Sequence, residues 1–137
     1  MENPAVTEIP IMESIYKRWS PKIFSEDPVS NEHLKQIMVA TSWAPSCFNA
    51  QPWSFIIGTH ENHETYIKLS NCLMPLNREW AVKAPVLMRA LTELNFPHNC
   101  NINRHVIHDL GLALGNLLNQ TTMLDIQAHL MAGFSVE

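Results

Sequence analysis

No stretch of this chain gathers its basic residues into a stripe: nine lysines and arginines stand against thirteen acids, a formal charge of −4 with the seven histidines neutral. The electrostatic footprint that a nucleic-acid backbone requires is missing, so that class of partner is excluded. No apolar run approaches the roughly 20 residues of a membrane-spanning helix, and the opening MENPAVTEIP carries acids and prolines where a secretory leader has a basic stretch and an apolar core. A cytoplasmic protein away from the membrane is expected. Cys47, Cys72 and Cys100 are odd in number, widely spaced and without a CxxC pair, which fits reduced thiols used as small hydrophobes better than a disulfide framework. Internal repeats, low-complexity tracts and glycine/serine linkers are also missing, and 137 residues suit one domain. The 46% hydrophobic fraction argues against disorder and leaves apolar residues to spare for a partner surface.

What is present reads as helices with a few strands between them. Ile9, Met12, Ile15 and Tyr16 recur at helical spacing and predict a helix from about Thr7 to Arg18, ended by Pro21. Ser30 caps a second helix with Leu34, Ile37, Met38 and Thr41 on its inner face, stopping near Trp43 ahead of Pro45. The run SFIIGT, Ser54 to Thr59, predicts a buried strand, and His60 to Leu73 a helix facing inward through Tyr66, Leu69, Cys72 and Leu73. A loop with Pro75, Asn77 and Trp80 precedes a strand from Ala84 towards Leu94, in which Arg89 demands a partner or an edge position. NFPHNCNIN is turn-rich. Arg104 to Leu124 predicts the longest helix, with a broad apolar face and Gly111 and Gly115 allowing close backbone approach, and His129 to Phe134 a last short strand. Such an order gives an α+β layered fold rather than regular βαβ alternation.

Two stretches carry specialised chemistry. In RWSPK, an extended backbone puts Arg18, Ser20 and Lys22 on one face, and Pro21 biases Ser20 towards that geometry. Two cations and a hydroxyl there match a phosphate monoester; the same residues also fit a solvated helix end whose basic side chains complement the dipole. In APSCFNAQPW, Pro45 and Pro52 bracket a cysteine, an asparagine and a glutamine, limiting the loop's conformational freedom.

Together with Trp80-Ala81-Val82-Lys83-Ala84-Pro85-Val86, His108-Asp109-Leu110-Gly111 and His129-Leu130-Met131-Ala132-Gly133-Phe134, these two motifs resemble, in order and spacing, the FMN-dependent nitroreductase family over about Ile15 to Phe134. The resemblance implies a layered α+β fold with a central, mainly antiparallel sheet flanked by helices. It implies FMN held by Arg18, Trp19, Ser20 and Lys22, with Asn49, Ser46 and Gln51 of the proline-bracketed loop as further cofactor contacts. Asn49 falls on the asparagine set against the flavin, whose pyrimidine edge a primary amide can both donate to and accept from; Ser46 and Gln51 rank below it as candidates. The family implies a homodimer with FMN at the subunit interface, and NAD(P)H as reductant for a nitroaromatic, quinone or similar small acceptor. The flavin does the redox chemistry, so no acid, base or nucleophile is expected. Family members extend beyond the final GF motif, whereas this sequence stops at Glu137. The expected fold is therefore the N-terminal portion of the family domain, truncated at the C-terminus, and the alternative function is a non-catalytic fragment that folds or dimerises without retaining FMN.

A metal reading would use His98, Cys100, His105, His108 and Asp109, but the spacing matches no closed zinc site. His60-Glu61-Asn62-His63 is not HExxH. His129 among apolar neighbours suits a satisfied core histidine, and Cys47 a turn or packing role.

Overall fold

The computed structural model describes residues 3–135. A short helix α1 (Glu13–Lys17) leads to α2 (Asn31–Ser42), a single 3-10 turn (Cys47–Asn49) and strand β1 (Trp53–Thr59). Then come α3 (His63–Asn71), α4 (Pro75–Ala81), β2 (Val86–Thr92) and the long α5 (Val106–Met123). The two strands pair antiparallel, Trp53 opposite Thr92 and Thr59 opposite Val86. This is an α+β fold with an antiparallel sheet.

Local rules explain most boundaries. The Ser30 hydroxyl oxygen accepts the His33 amide at 3.1 Å, satisfying one of the orphan donors at the start of α2. α3 packs on both strands, and its approach to β1 is so close that a Cβ at Gly58 would lie 2.7 Å from the Tyr66 Cα and 2.8 Å from its nitrogen. Tyr66 is buried with Leu69, Ala81 and Leu87, and its hydroxyl donates towards the Ala84 carbonyl at 2.6 Å. Burial pushes the Tyr66 phenol above its ordinary pKa. α5 turns Val106, Asp109, Ala113, Leu117 and Thr121 inward, one residue per turn.

Several elements differ from expectation. Helix α1 begins only at Glu13, because Pro10 disfavours helical geometry in Ile9 before it; Ile9 and Met12, expected inside, are 73% and 68% exposed. The expected loop after Leu73 is α4, where Pro75 occupies the first turn and loses no hydrogen bond that a helix start would make. The tail is not a strand. It makes one antiparallel bridge, Leu73 to Phe134, with the Met74 amide on the Gly133 carbonyl at 3.0 Å and the Ser135 amide on the Cys72 carbonyl at 2.7 Å. Gly111 and Gly115 take no part in close approach, since a Cβ at either meets nothing within 4 Å; Gly58 does that work.

Arg89 finds a partial answer to its burial: its guanidinium lies 5.2 Å from the centre of the Phe134 ring, while its Nε has no hydrogen-bond partner. It lines an apolar cavity of about 420 Å³ with Leu34, Ile37, Leu114, Leu117 and Met131.

Two stability changes follow. Gly58→Ala forces backbone apart and should cost about 3 kcal/mol, measured by urea unfolding; a change below about 1 kcal/mol would contradict the close packing of α3 on β1. Arg89→Leu removes an unsatisfied buried donor worth about 1–3 kcal/mol and a cation–π contact worth about 0.5–2 kcal/mol. Thermal melting should show it neutral or stabilised.

Candidate functional site

The proline-bracketed loop is closed by its own atoms. The Asn49 amide donates to the Ser46 carbonyl at 3.0 Å and the Ala50 amide to the Cys47 carbonyl at 3.1 Å. Ser46 Oγ accepts the Gln51 amide at 2.9 Å, and Gln51 Nε2 donates to the Ser42 carbonyl at 3.2 Å. Ser46 and Gln51 therefore spend these groups on shaping the loop. Three residues in it have left-handed backbone: Phe48 (φ 52°), Asn49 (φ 53°) and Gln51 (φ 45°). Such geometry is costly for residues other than glycine and persists where the surroundings impose it. Asn49 is exposed, and among the described residues its side-chain amide has no hydrogen bond. Phe48 is 82% exposed, with its ring edge-on to Phe96 at 5.8 Å and to His98 at 6.1 Å, so the turn-rich 95–103 segment flanks the loop.

The loop is tied to the body of the protein by α5. Asp109, 2% exposed on the first turn of that helix, accepts the Cys47 amide at 2.9 Å through Oδ2, while Oδ1 meets His108 Nδ1 at 3.1 Å. Two turns further along the same face, Asn116 Nδ2 donates to the Ala40 carbonyl at 3.1 Å, securing the end of α2 just before the loop. Sequence reasoning missed both roles. The signal was there in two polar residues seven apart within an apolar stripe, a spacing that returns to the same side of a helix.

The other stretch, 18–22, alternates as expected. Arg18, Ser20 and Lys22 are exposed, Trp19 is half-buried and Pro21 is buried. The residues after α5 fix it in place: Gln127 Oε1 accepts the Trp19 amide at 3.3 Å, Gln127 Nε2 donates to the Lys17 carbonyl at 3.3 Å, and His129 Nδ1 bonds the Pro21 carbonyl at 2.8 Å. Arg18 and Lys22 form no ion pair among the described residues; Lys22 Nζ sits 5.7 Å from the Trp80 ring centre. Among the described residues, none of the hydrogen bonds of this stretch reaches the loop. The apolar cavity is lined by neither stretch. Among the described residues no group of three or more His, Cys, Asp or Glu could hold a metal; His98 packs against Phe48 and Phe96, and His108 against Asp109.

Residues 15–137 match the model of the nitroreductase family. The chain belongs to the nitroreductase family. A solved structure described as an oxidoreductase containing FMN is 31% identical, with a TM-score of 0.85, over 94% of this chain and 66% of its own. A nitroreductase family protein from Clostridium novyi shares the fold at 21% identity, TM-score 0.74, over 90% of this chain and 69% of its own. A protein from Archaeoglobus fulgidus named as a NADH dehydrogenase/NAD(P)H nitroreductase is 39% identical over 46 residues, 34% of this chain and 26% of the relative. The chain thus spans a little under two thirds of the FMN-containing structure, and the match covers about a quarter of the curated relative.

The left-handed loop of this nitroreductase-family chain generates a direct check. Asn49→Gly should leave stability unchanged or slightly raised, whereas Asn49→Val should cost about 1–2 kcal/mol, because a β-branched side chain fits φ 53° poorly. Urea midpoints decide; equal effects of the two substitutions would contradict the imposed backbone.

Proposed function

We propose that the chain is a flavin oxidoreductase domain, residues 1–137, in which FMN carries electrons from NAD(P)H to a nitroaromatic, quinone or similar small acceptor. The observation that carries the reading is the outward row of Arg18, Ser20 and Lys22, two cations without a carboxylate partner among the described residues and one hydroxyl on an extended backbone held by Gln127 and His129. That donor set fits a phosphate dianion, to which each cation supplies a charge-assisted hydrogen bond. Trp19 flanks the row. Asn49 fits the second requirement, an unoccupied amide able to donate and accept along the flavin's pyrimidine edge. Ser46 retains a hydroxyl donor and Gln51 a carbonyl acceptor after closing the loop, so both keep a capacity for cofactor contact. When bound, FMN supplies hydride and electron transfer; the protein's part is to hold the phosphate, orient the ring and leave one side open to reductant and acceptor in turn.

A homodimer with the site at its interface completes the proposal. It is supported by the large apolar residues left exposed next to both stretches: Ile23 at 85%, Trp43 at 82% and Phe48 at 82%. It also accounts for two stretches that share no hydrogen bond among the described residues of one chain, since the loop of one subunit would face the phosphate row of the other. A cytoplasmic location is part of the same reading, supported by three cysteines that are free thiols. No helix among the described residues is long and apolar enough to cross a membrane.

Lys22→Ala and Arg18→Ala each remove a charge-assisted contact worth about 1.5–3 kcal/mol, so FMN titrated into either variant should bind roughly 10- to 150-fold more weakly. FMN affinity equal to that of the parent in both variants would refute the phosphate assignment.

A further inference from the structure

Asp109 is the buried carboxylate among the described residues, and the flavin reading provides no use for it. Enclosing a carboxylate costs several kcal/mol unless its oxygens are well satisfied, and an apolar side chain would continue the stripe of Val106, Ala113 and Leu117 at no such cost. The first turn of α5 offers the charge a favourable field. The oxygens are engaged by the Cys47 amide and by His108, whose side chain is 71% exposed. The other hydrogen bonds of residues 46–51 close the turn upon itself or onto the adjoining end of α2, and the bracketing Pro52 carbonyl accepts the Glu93 amide at 2.7 Å where β1 begins. Among the described residues, the bond to Asp109 is the one that links the 46–51 turn itself to a distant element, 62 residues away in sequence. It falls on the amide immediately before Phe48 and Asn49, the two consecutive left-handed residues.

We propose that Asp109 is a positioning residue: through the Cys47 amide it locks the 46–51 turn against α5 and so fixes the direction in which Asn49 presents its amide. The target of that amide rests on the FMN reading; the lock itself does not. A charged acceptor is roughly twice as strong as a neutral one for a backbone N–H, which gives the turn enough hold to keep two left-handed residues in place. Without the bond, Phe48 and Asn49 can relax to ordinary backbone geometry and the amide swings away.

The test compares Asp109→Leu, which deletes the acceptor, with Asp109→Asn, whose amide oxygen still accepts, and with Cys47→Pro, which deletes the donor and leaves α5 untouched. Proline suits that position because Ser46 before it is extended, at φ −146° and ψ 157°. Chymotryptic cleavage after the exposed Phe48 reads the turn with no flavin present. We expect cleavage there to rise about tenfold or more in Asp109→Leu and Cys47→Pro and to stay within about threefold of the parent in Asp109→Asn, from the loss or retention of one charge-assisted bond. Cleavage elsewhere in the chain should remain at the parent rate, which a general loss of stability would not allow. If Asp109→Leu fails to fold, Cys47→Pro carries the test alone. Parent-like cleavage after Phe48 in the folded variants would overturn the lock. FMN affinity is measured on the same proteins. A parallel loss in the two disrupting variants supports the aiming of Asn49, and affinity unchanged in a variant whose turn has loosened overturns it. Failure of the parent itself to bind FMN would remove the target while the cleavage result still decides the lock.

Discussion

The hydrogen bond from the Cys47 amide to the buried Asp109 carboxylate, 2.9 Å long, ties the 46–51 turn of the proline-bracketed loop to α5. α5 repeats the device along its length. Asn116 holds the Ala40 carbonyl at the end of α2, and Asn119 Oδ1 accepts the Ser14 hydroxyl of α1 at 2.7 Å. Just beyond the helix, Gln127 and His129 fasten the 17–21 backbone. Both halves of the candidate site are thus hung from one rigid helix and its continuation, with apolar packing around Val106, Ala113 and Leu117 supplying the bulk of the attachment. The polar bonds add direction, which non-directional burial cannot give.

The arrangement divides labour inside each short motif. In the loop, Ser46 and Gln51 close the turn and the exposed Asn49 amide stays uncommitted. In the 18–22 stretch, the odd positions face inward and the even ones outward. A phosphate-sized anion and a hydrogen-bonding ring edge are the ligands such uncommitted groups suit, which is why the proposal places FMN there rather than in the apolar cavity, where Arg89 is the lone cation.

Periodicity made α2, β1, α3, β2 and α5 legible to within a few residues, because each buries one face against the core. It misled where proline decides: Pro10 shortens the first helix, and Pro75 starts one that looked like a loop. The final apolar run looked like a strand because an apolar run says nothing about whether a partner strand lies beside it; among the described residues it forms one bridge, to Leu73. The motif order led to the nitroreductase family and its fold. The positioning role of Asp109 stayed hidden, since it depends on a contact between residues 62 apart in sequence, and His108-Asp109 read locally looks like a metal ligand pair. Gly58 was likewise silent until Tyr66 was seen above it.

Titration of FMN into the purified protein, followed by gel filtration and a visible spectrum of the protein peak, bears most directly on the central claim that α5 holds two stretches ready for a flavin. The account predicts a yellow protein carrying flavin in near-stoichiometric amount. A folded protein that stays colourless after excess FMN would contradict it.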